Sequence, residues 1–208
     1  HVLLYPIYNQ ILISITLKMD SKNTLETLEN VRESIDFHLS EGVKNRNSDF
    51  RTFTLCTSKE VPAGRTVVLR GYNAKDGIIT LHSNYHAEKI IELNSNPRAC
   101  CVFYSKAKKI QIRCFGNAVI NHNNHRTSQA WNNMSEMSKE CYFQNPNPGN
   151  TIDKYNSFTK NIINEESDSF AVIDIEIDKI DWLYLKREGH RRANIFINEA
   201  SKDRWVSP

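Results

Sequence analysis

The chain has 208 residues, 39% of them hydrophobic and 25% charged, which is ordinary for a globular protein and enough to bury one sizeable core or two small ones. A formal net charge of +3 falls far short of the concentrated basicity of a nucleic-acid binder, and it suits small anionic ligands without requiring them. Five cysteines (Cys56, Cys100, Cys101, Cys114 and Cys141) are odd in number, show no C-x-x-C spacing and mostly sit in apolar strand-like runs, which argues against a disulfide framework and fits buried free thiols in a reducing compartment, the cytoplasm.

Residues 1–18 are apolar, but Pro6, Asn9 and Gln10 interrupt them and the run is too short to span a bilayer, so no membrane partner is expected. They also lack the basic n-region of a signal peptide. Met19 precedes a polar lead-in to a helix, so residues 1–19 read as an extension outside the fold and 20–208 as one domain.

From Thr24 to Leu39 the apolar residues Leu25, Leu28, Val31, Ile35 and Leu39 fall at helical spacing, with Thr24 as cap and Gly42 just past the end. The period then changes. Segments 50–57, 65–72, 77–83 and 99–105 are short and rich in β-branched and aromatic residues, and turn signals separate them, among them the hairpin-favouring Asp76-Gly77 pair. A helix over Tyr85–Ser95 is inserted before Pro97. Residues 108–120 alternate, with Ile110, Ile112 and Cys114 on one face, Gln111, Arg113 and Phe115 on the other, and Gly116 marking a bulge or bend. A polar helical stretch near 123–142, in which Trp131, Met134 and Met137 form a packing cluster, is followed by a Pro/Asn/Gly loop and a helix near 151–164. Two last strands follow: 170–185, with Ala171, Ile173, Ile175 and Ile177 inward, and 191–197. The pattern predicts an α+β protein, mainly β: an antiparallel barrel of about six strands, closed or nearly so and flanked by helices.

A dianionic phosphate needs several donors converging on one point. Arg65 opens one predicted strand, Ser83 ends the next just before a helix, and Lys89 lies one turn into that helix, so the three can converge; the same residues also suit an exposed strand-start arginine and a solvated lysine. Arg70 follows Arg65 by five residues, so in a regular strand the two leave opposite faces and do not serve one anion. His122 and His125 have a spacing a metal could use, but no nearby carboxylate or thiolate completes a set, and no metal is expected.

Six pieces in order, RTVVLR, DGIITLHS, KIIELNSNPR, QIRCFG, WLYL and GHRRA, make residues 50–208 similar to the pyridoxamine 5'-phosphate oxidase family. The resemblance implies a split barrel that dimerises, with flavin mononucleotide (FMN) bound between the subunits. It implies that Arg65 and Lys89 bind the FMN phosphate with His82 and Ser83 beside it, that Gln111, Trp182 and Arg192 lie near the flavin ring, and that His190 and Arg70 face the substrate, a small anion. It departs from the family's pattern at Glu88, which replaces an arginine, and at Glu188, Gln129 and Asn133, where the oxidases use an arginine, a tyrosine and an arginine toward the substrate. The cofactor half is thus kept better than the substrate half. The expected function is an FMN-dependent oxidase of this type; the alternatives are an FMN-binding module without turnover and an FMN-dependent reductase.

Overall fold

A computed structural model describes residues 25–155, the backbone of 159–160, and 166–208. The extension read over 1–19 and the cap assigned to Thr24 lie outside the described residues. The first helix, α1, spans Leu28–Lys44 and is capped by Thr27, whose hydroxyl accepts from the Asn30 amide at 3.1 Å. Val31, Ile35 and Leu39 bury its inner face as their spacing predicts, but Gly42 lies inside the helix, where a Cβ would run into the Phe50 carbonyl.

The strands are β1 (Thr52–Ser58), β2 (Pro62–Val68), β3 (Gly71–Asn73), β4 (Ile78–Asn84), β5 (Arg98–Ser105), β6 (Ile110–His122), β7 (Gln144–Asn145), β8 (Thr159–Lys160), β9 (Phe170–Tyr184), β10 (Arg191–Phe196) and β11 (Arg204–Val206). Helix α2 (Glu88–Ser95) stands between β4 and β5, and α3 (His125–Asn132) and α4 (Glu136–Lys139) follow β6. All pairings are antiparallel. One path runs β11-β10-β9-β6-β5-β1-β2. Strand β9 organises it: β6 lines one edge for its whole length, while the other edge pairs with β4 over Phe170–Glu176 and with β10 over Lys179–Tyr184. The sheet divides where β4 gives way to β10, and this is the split of a split barrel.

The run predicted as one strand over 65–72 is two, because the chain changes partners within it: the Leu69 amide bonds to Arg51 of the β1 side, and the Arg70 amide to Thr80 of β4. The Asp76-Gly77 turn is a four-residue loop in which Gly77 has φ +65° and Asn73 accepts from the Asp76 amide. The helix predicted near 151–164 is not formed over the described residues of that stretch. Residues 151–155 are irregular with Ile152 and Tyr155 exposed, so no apolar face exists to bury, and Thr159–Lys160 pair with β7 instead; the other positions of that stretch lie outside the described residues.

Opposite Gly116, strand β9 carries one extra residue: Phe115 faces Lys179 and Gly116 faces Ile177, leaving Asp178 as the bulge. Before it the odd residues Ala171, Ile173, Ile175 and Ile177 are buried; after it the inward residues are Ile180 and Trp182. That shift decides which β9 side chains reach the outer face. A Cβ on Gly116 would collide with the Glu176 carbonyl, so Gly116→Ala is expected to lower stability by about 1–3 kcal/mol. Gly64→Ala in β2, where a Cβ meets only a Thr54 methyl at 3.4 Å, should be neutral or mildly stabilising. Denaturant midpoints of the two variants check the pair.

On the far side of the first half of β9, Trp131 packs with Ala130, Tyr142, Phe170 and Val172, and Met134 joins them. Met137 does not: it sits in the short α4 and is 83% exposed.

Candidate functional site

Arg65 is the fourth residue of β2, not its first, because the strand begins at Pro62, where an edge strand tolerates a missing amide. It stands opposite Leu55 and so points to the core side of the sheet. Its Nη1 donates to the Thr57 hydroxyl and to the Leu55 carbonyl (3.4 Å), and its Nη2 donates to Glu92 Oε2 at 2.7 Å. Thr57 in turn donates to the same Oε2 at 2.5 Å. Helix α2 brings Lys89 to this place as well: its ammonium donates to Ser83 Oγ at 3.2 Å, and Ser83 donates to the Asn84 carbonyl at 3.0 Å. Burial, and then the Arg65 guanidinium, hold the Lys89 ammonium below the usual lysine range, with Glu92 partly offsetting them. Lys89 therefore touches Ser83 and feels Arg65.

His82 does not join them. Adjacent strand residues point to opposite faces, so His82 lies outside, edge-on to Phe170 at 5.1 Å, with Nδ1 buried and without a hydrogen-bond partner among the described residues. Burial, then Arg70 and Arg126, push its pKa down to about 4 against the opposing pull of Asp174. Arg126 grips Asp174 through two bonds of 3.0 and 2.9 Å, and Thr80 donates to the same carboxylate at 2.6 Å. The Arg70 guanidinium, half-buried beside His82, has no hydrogen bond or ion pair among the described residues. Arg65 and Arg70 thus serve opposite faces.

Gln111 faces Leu183, and Leu183 faces Arg192, so glutamine and arginine lie in one row on the outer face of β6, β9 and β10. Between the arginines of this face sits Asp181, 4% exposed, which accepts from Arg192 at 2.7 Å and from Arg113 at 2.8 Å. Trp182 is on the other face, 0% exposed in the core, edge-to-face with Trp205. The bulge at Asp178 put it there. His190 is exposed in the β9–β10 turn, accepts from the Lys186 amide at 3.2 Å, and with Arg192 and Trp205 lines a pocket of about 350 Å³. Glu188, Gln129 and Asn133 are exposed, and Asn133 is bonded to the Gln129 carbonyl at 3.0 Å.

The core-side cluster and the outer row lie on opposite faces of the sheet: the cross-sheet row through Arg65 runs Leu55, Cys101, Cys114, Ile180, Ile195 on the buried face, and Gln111 and Arg192 leave the other. Sequence reading missed Glu92, Thr57, Asp181 and the Arg126–Asp174 pair. Only Glu92 gave a signal, as a charge between Ile90 and Leu93 on a helix face that must be buried. The cysteines form no disulfide: Cys101 and Cys114 are buried, Cys56 and Cys100 half-buried, and Cys141 exposed, contrary to the expectation of general burial. Among the described residues no group of three or more His, Cys, Asp or Glu could hold a metal ion, and no helix is long and apolar enough to cross a membrane.

Residues 30–122 match the sequence model of the pyridoxamine 5'-phosphate oxidase FMN-binding domain. No curated protein matches the chain. Among solved structures, a pyridoxamine 5'-phosphate oxidase-related FMN-binding protein of Nostoc punctiforme PCC 73102 is similar over 85% of this chain and 97% of its own, with TM-score 0.70 and 18% identity. PhzG from Burkholderia lata 383, in complex with tetrahydrophenazine-1-carboxylic acid, is similar over 85% and 91%, with TM-score 0.62 and 13% identity. A protein of the pyridoxinephosphate oxidase family from Clostridium acetobutylicum, related to general stress protein 26, is similar over 81% and 98%, with TM-score 0.54 and 13% identity. By sequence over residues 30–122 and by fold over most of its length, the chain resembles the pyridoxamine 5'-phosphate oxidase-like family of FMN-binding split barrels.

Proposed function

We propose that this chain is a cytoplasmic FMN-dependent oxidoreductase that holds the flavin phosphate at Arg65, Lys89 and Ser83 and oxidises a small anionic substrate, with a vitamin B6 phosphate as the first candidate. The observation that carries the reading is the unmet charge of Lys89: a half-buried ammonium whose hydrogen-bond partner among the described residues is a hydroxyl, beside a second cation, with one carboxylate, bonded to Arg65, to offset both. That donor set fits a phosphate, which would supply the missing anion.

The placement of the phosphate cluster and the Gln111–Arg192 row on opposite faces of the sheet supports a homodimer, in which one copy supplies the phosphate cluster and the other the ring-side row. FMN, when bound, supplies a hydride acceptor at its N5. Gln111 offers hydrogen bonds to the ring edge. Asp181 holds the Arg192 guanidinium in one orientation, so that its charge is placed in advance of binding. On the substrate side, Arg70 provides a guanidinium without a competing carboxylate. His82 remains neutral at physiological pH and so can accept or donate a single hydrogen bond without adding charge, and His190 keeps Nε2 free for a substrate group.

The exposed amides Gln129 and Asn133 favour a second reading, an FMN-binding module without oxidase turnover, because neither supplies a cation for a substrate phosphate. Anaerobic titration of the FMN-loaded protein separates them. Bleaching of the flavin absorbance by pyridoxamine or pyridoxine phosphate is the expected result. Bleaching by NADPH alone would favour a reductase, and no bleaching by either would favour the binder.

A further inference from the structure

The phosphate site contains one charge that the resemblance does not use. We propose that Glu92 is the positioning residue of this site: with Thr57 it fixes the Arg65 guanidinium in advance, so that the remaining edge of Arg65 and the Lys89 ammonium present themselves together to a phosphate monoester. The inference rests on the phosphate-site reading above.

Glu92 lies on the inner face of α2, 6% exposed, beside Ile90 and Leu93, each 2% exposed. A carboxylate there costs stability unless it is paired and hydrogen-bonded. Its Oε2 accepts from both Thr57 and Arg65, and Thr57 also accepts from Arg65, so the three side chains close a triangle in which each touches the other two. A guanidinium has five N–H donors in a fixed plane. The triangle and the Leu55 carbonyl engage Nη1 and one hydrogen of Nη2, leaving Nε–H and the second Nη2 hydrogen without a partner among the described residues. Lys89 precedes Glu92 by three residues and so projects from the same side of the helix. Two cations and one carboxylate leave a net charge of +1, which retains attraction for an anion while stabilising the arginine in its absence.

An arginine on a strand has several rotatable bonds, and ordering it at the moment of binding would weaken the ligand; fixing it beforehand removes that cost. Glu92→Ala is therefore expected to weaken FMN binding by about three- to tenfold and to leave riboflavin, the same ring without the phosphate, unchanged. Glu92→Gln keeps an acceptor for Thr57 and Arg65 and should recover most of the loss, and Thr57→Val should shift FMN in the same direction by less. A ligand-free readout accompanies the titrations: the Arg65 Nη–H nuclear magnetic resonance signals, whose hydrogens bond Thr57 and Glu92, should exchange slowly with water in the wild type and in Glu92→Gln, and rapidly in Glu92→Ala. Tighter FMN binding in either Glu92 variant would mean that the carboxylate only repels phosphate, and a parallel loss of FMN and riboflavin affinity would mean that it only packs the helix; each overturns the proposal. Wild-type protein that binds FMN no more tightly than riboflavin would overturn the phosphate-site reading itself, and Glu92 positioning with it.

Discussion

Arg65→Ala is expected to weaken FMN binding by about 10- to 150-fold, since a charge-assisted hydrogen bond contributes roughly 1.5–3 kcal/mol and each 1.4 kcal/mol is a factor of ten. Riboflavin binding should barely change. The substitution also leaves Glu92 buried without its arginine, and breaking a buried pair lowers stability by about 3–5 kcal/mol; because the Arg65 side chain is 23% exposed, about 3 kcal/mol is the fitting end of that range. Circular dichroism of the variant at the titration temperature separates the two effects. Arg65→Lys keeps the charge but not the fork that spans Thr57, Glu92 and a ligand, so its affinity should fall between wild type and alanine. Arg70→Ala, on the other face, should leave FMN affinity within about twofold. Equal losses at Arg65 and Arg70, read by quenching of flavin fluorescence, would contradict the two-face arrangement.

The second large effect is acid lability. His38 is stacked on Phe50 at 4.7 Å, and burial, then Lys108, push its pKa down to about 4; His82 is likewise near 4, through burial, Arg70 and Arg126. An unfolded histidine titrates near 6.5. The folded state thus prefers both rings neutral, while the unfolded state takes up their protons first. The stability they contribute is fully present above pH 6.5 and is lost as pH falls toward 4. At 1.36 kcal/mol per pKa unit, each accounts for at most about 3 kcal/mol, somewhat less for the partly exposed His82. Urea midpoints at pH 7.5 and 4.5 should differ accordingly, and His38→Phe should remove about half of the difference. A flat profile, or a wild type more stable at pH 4.5, would contradict the burial of these rings.

Much of the strand architecture was legible because burial on one face of each strand enforces alternation. Ile110, Ile112 and Cys114, and then Ala171 to Ile177, declared their faces in advance. What the pattern did not carry is the consequence of the bulge. Gly116 marks it in β6, but the extra residue is on the partner strand, and one residue is enough to exchange the faces of everything after it. Trp182 thereby enters the core and Asp181 reaches the outer face, where it holds Arg113 and Arg192. The change of partners at Leu69 and Arg70 was equally silent in the run RTVVLRGY, because a strand that leaves one neighbour for another keeps its composition.

The candidate site shows the same division. Arg65, Ser83 and Lys89 stood out as donors of the right kind near turn and helix boundaries. Glu92 and Thr57 were illegible as partners because their roles come from the tertiary approach of α2 to β1 and β2, with Thr57 and Glu92 separated by 35 residues in the chain. The resemblance places His82 and Ser83 together beside the phosphate, and the pleat of β4 sends them to opposite faces.

The central claim is that one phosphate meets the Arg65 guanidinium and the Lys89 ammonium. A crystal structure of the protein grown with FMN tests it most directly. The account predicts phosphate density within hydrogen-bond distance of Arg65, Lys89 and Ser83 Oγ; flavin bound with its phosphate elsewhere, those three groups remaining as they are without it, would contradict it.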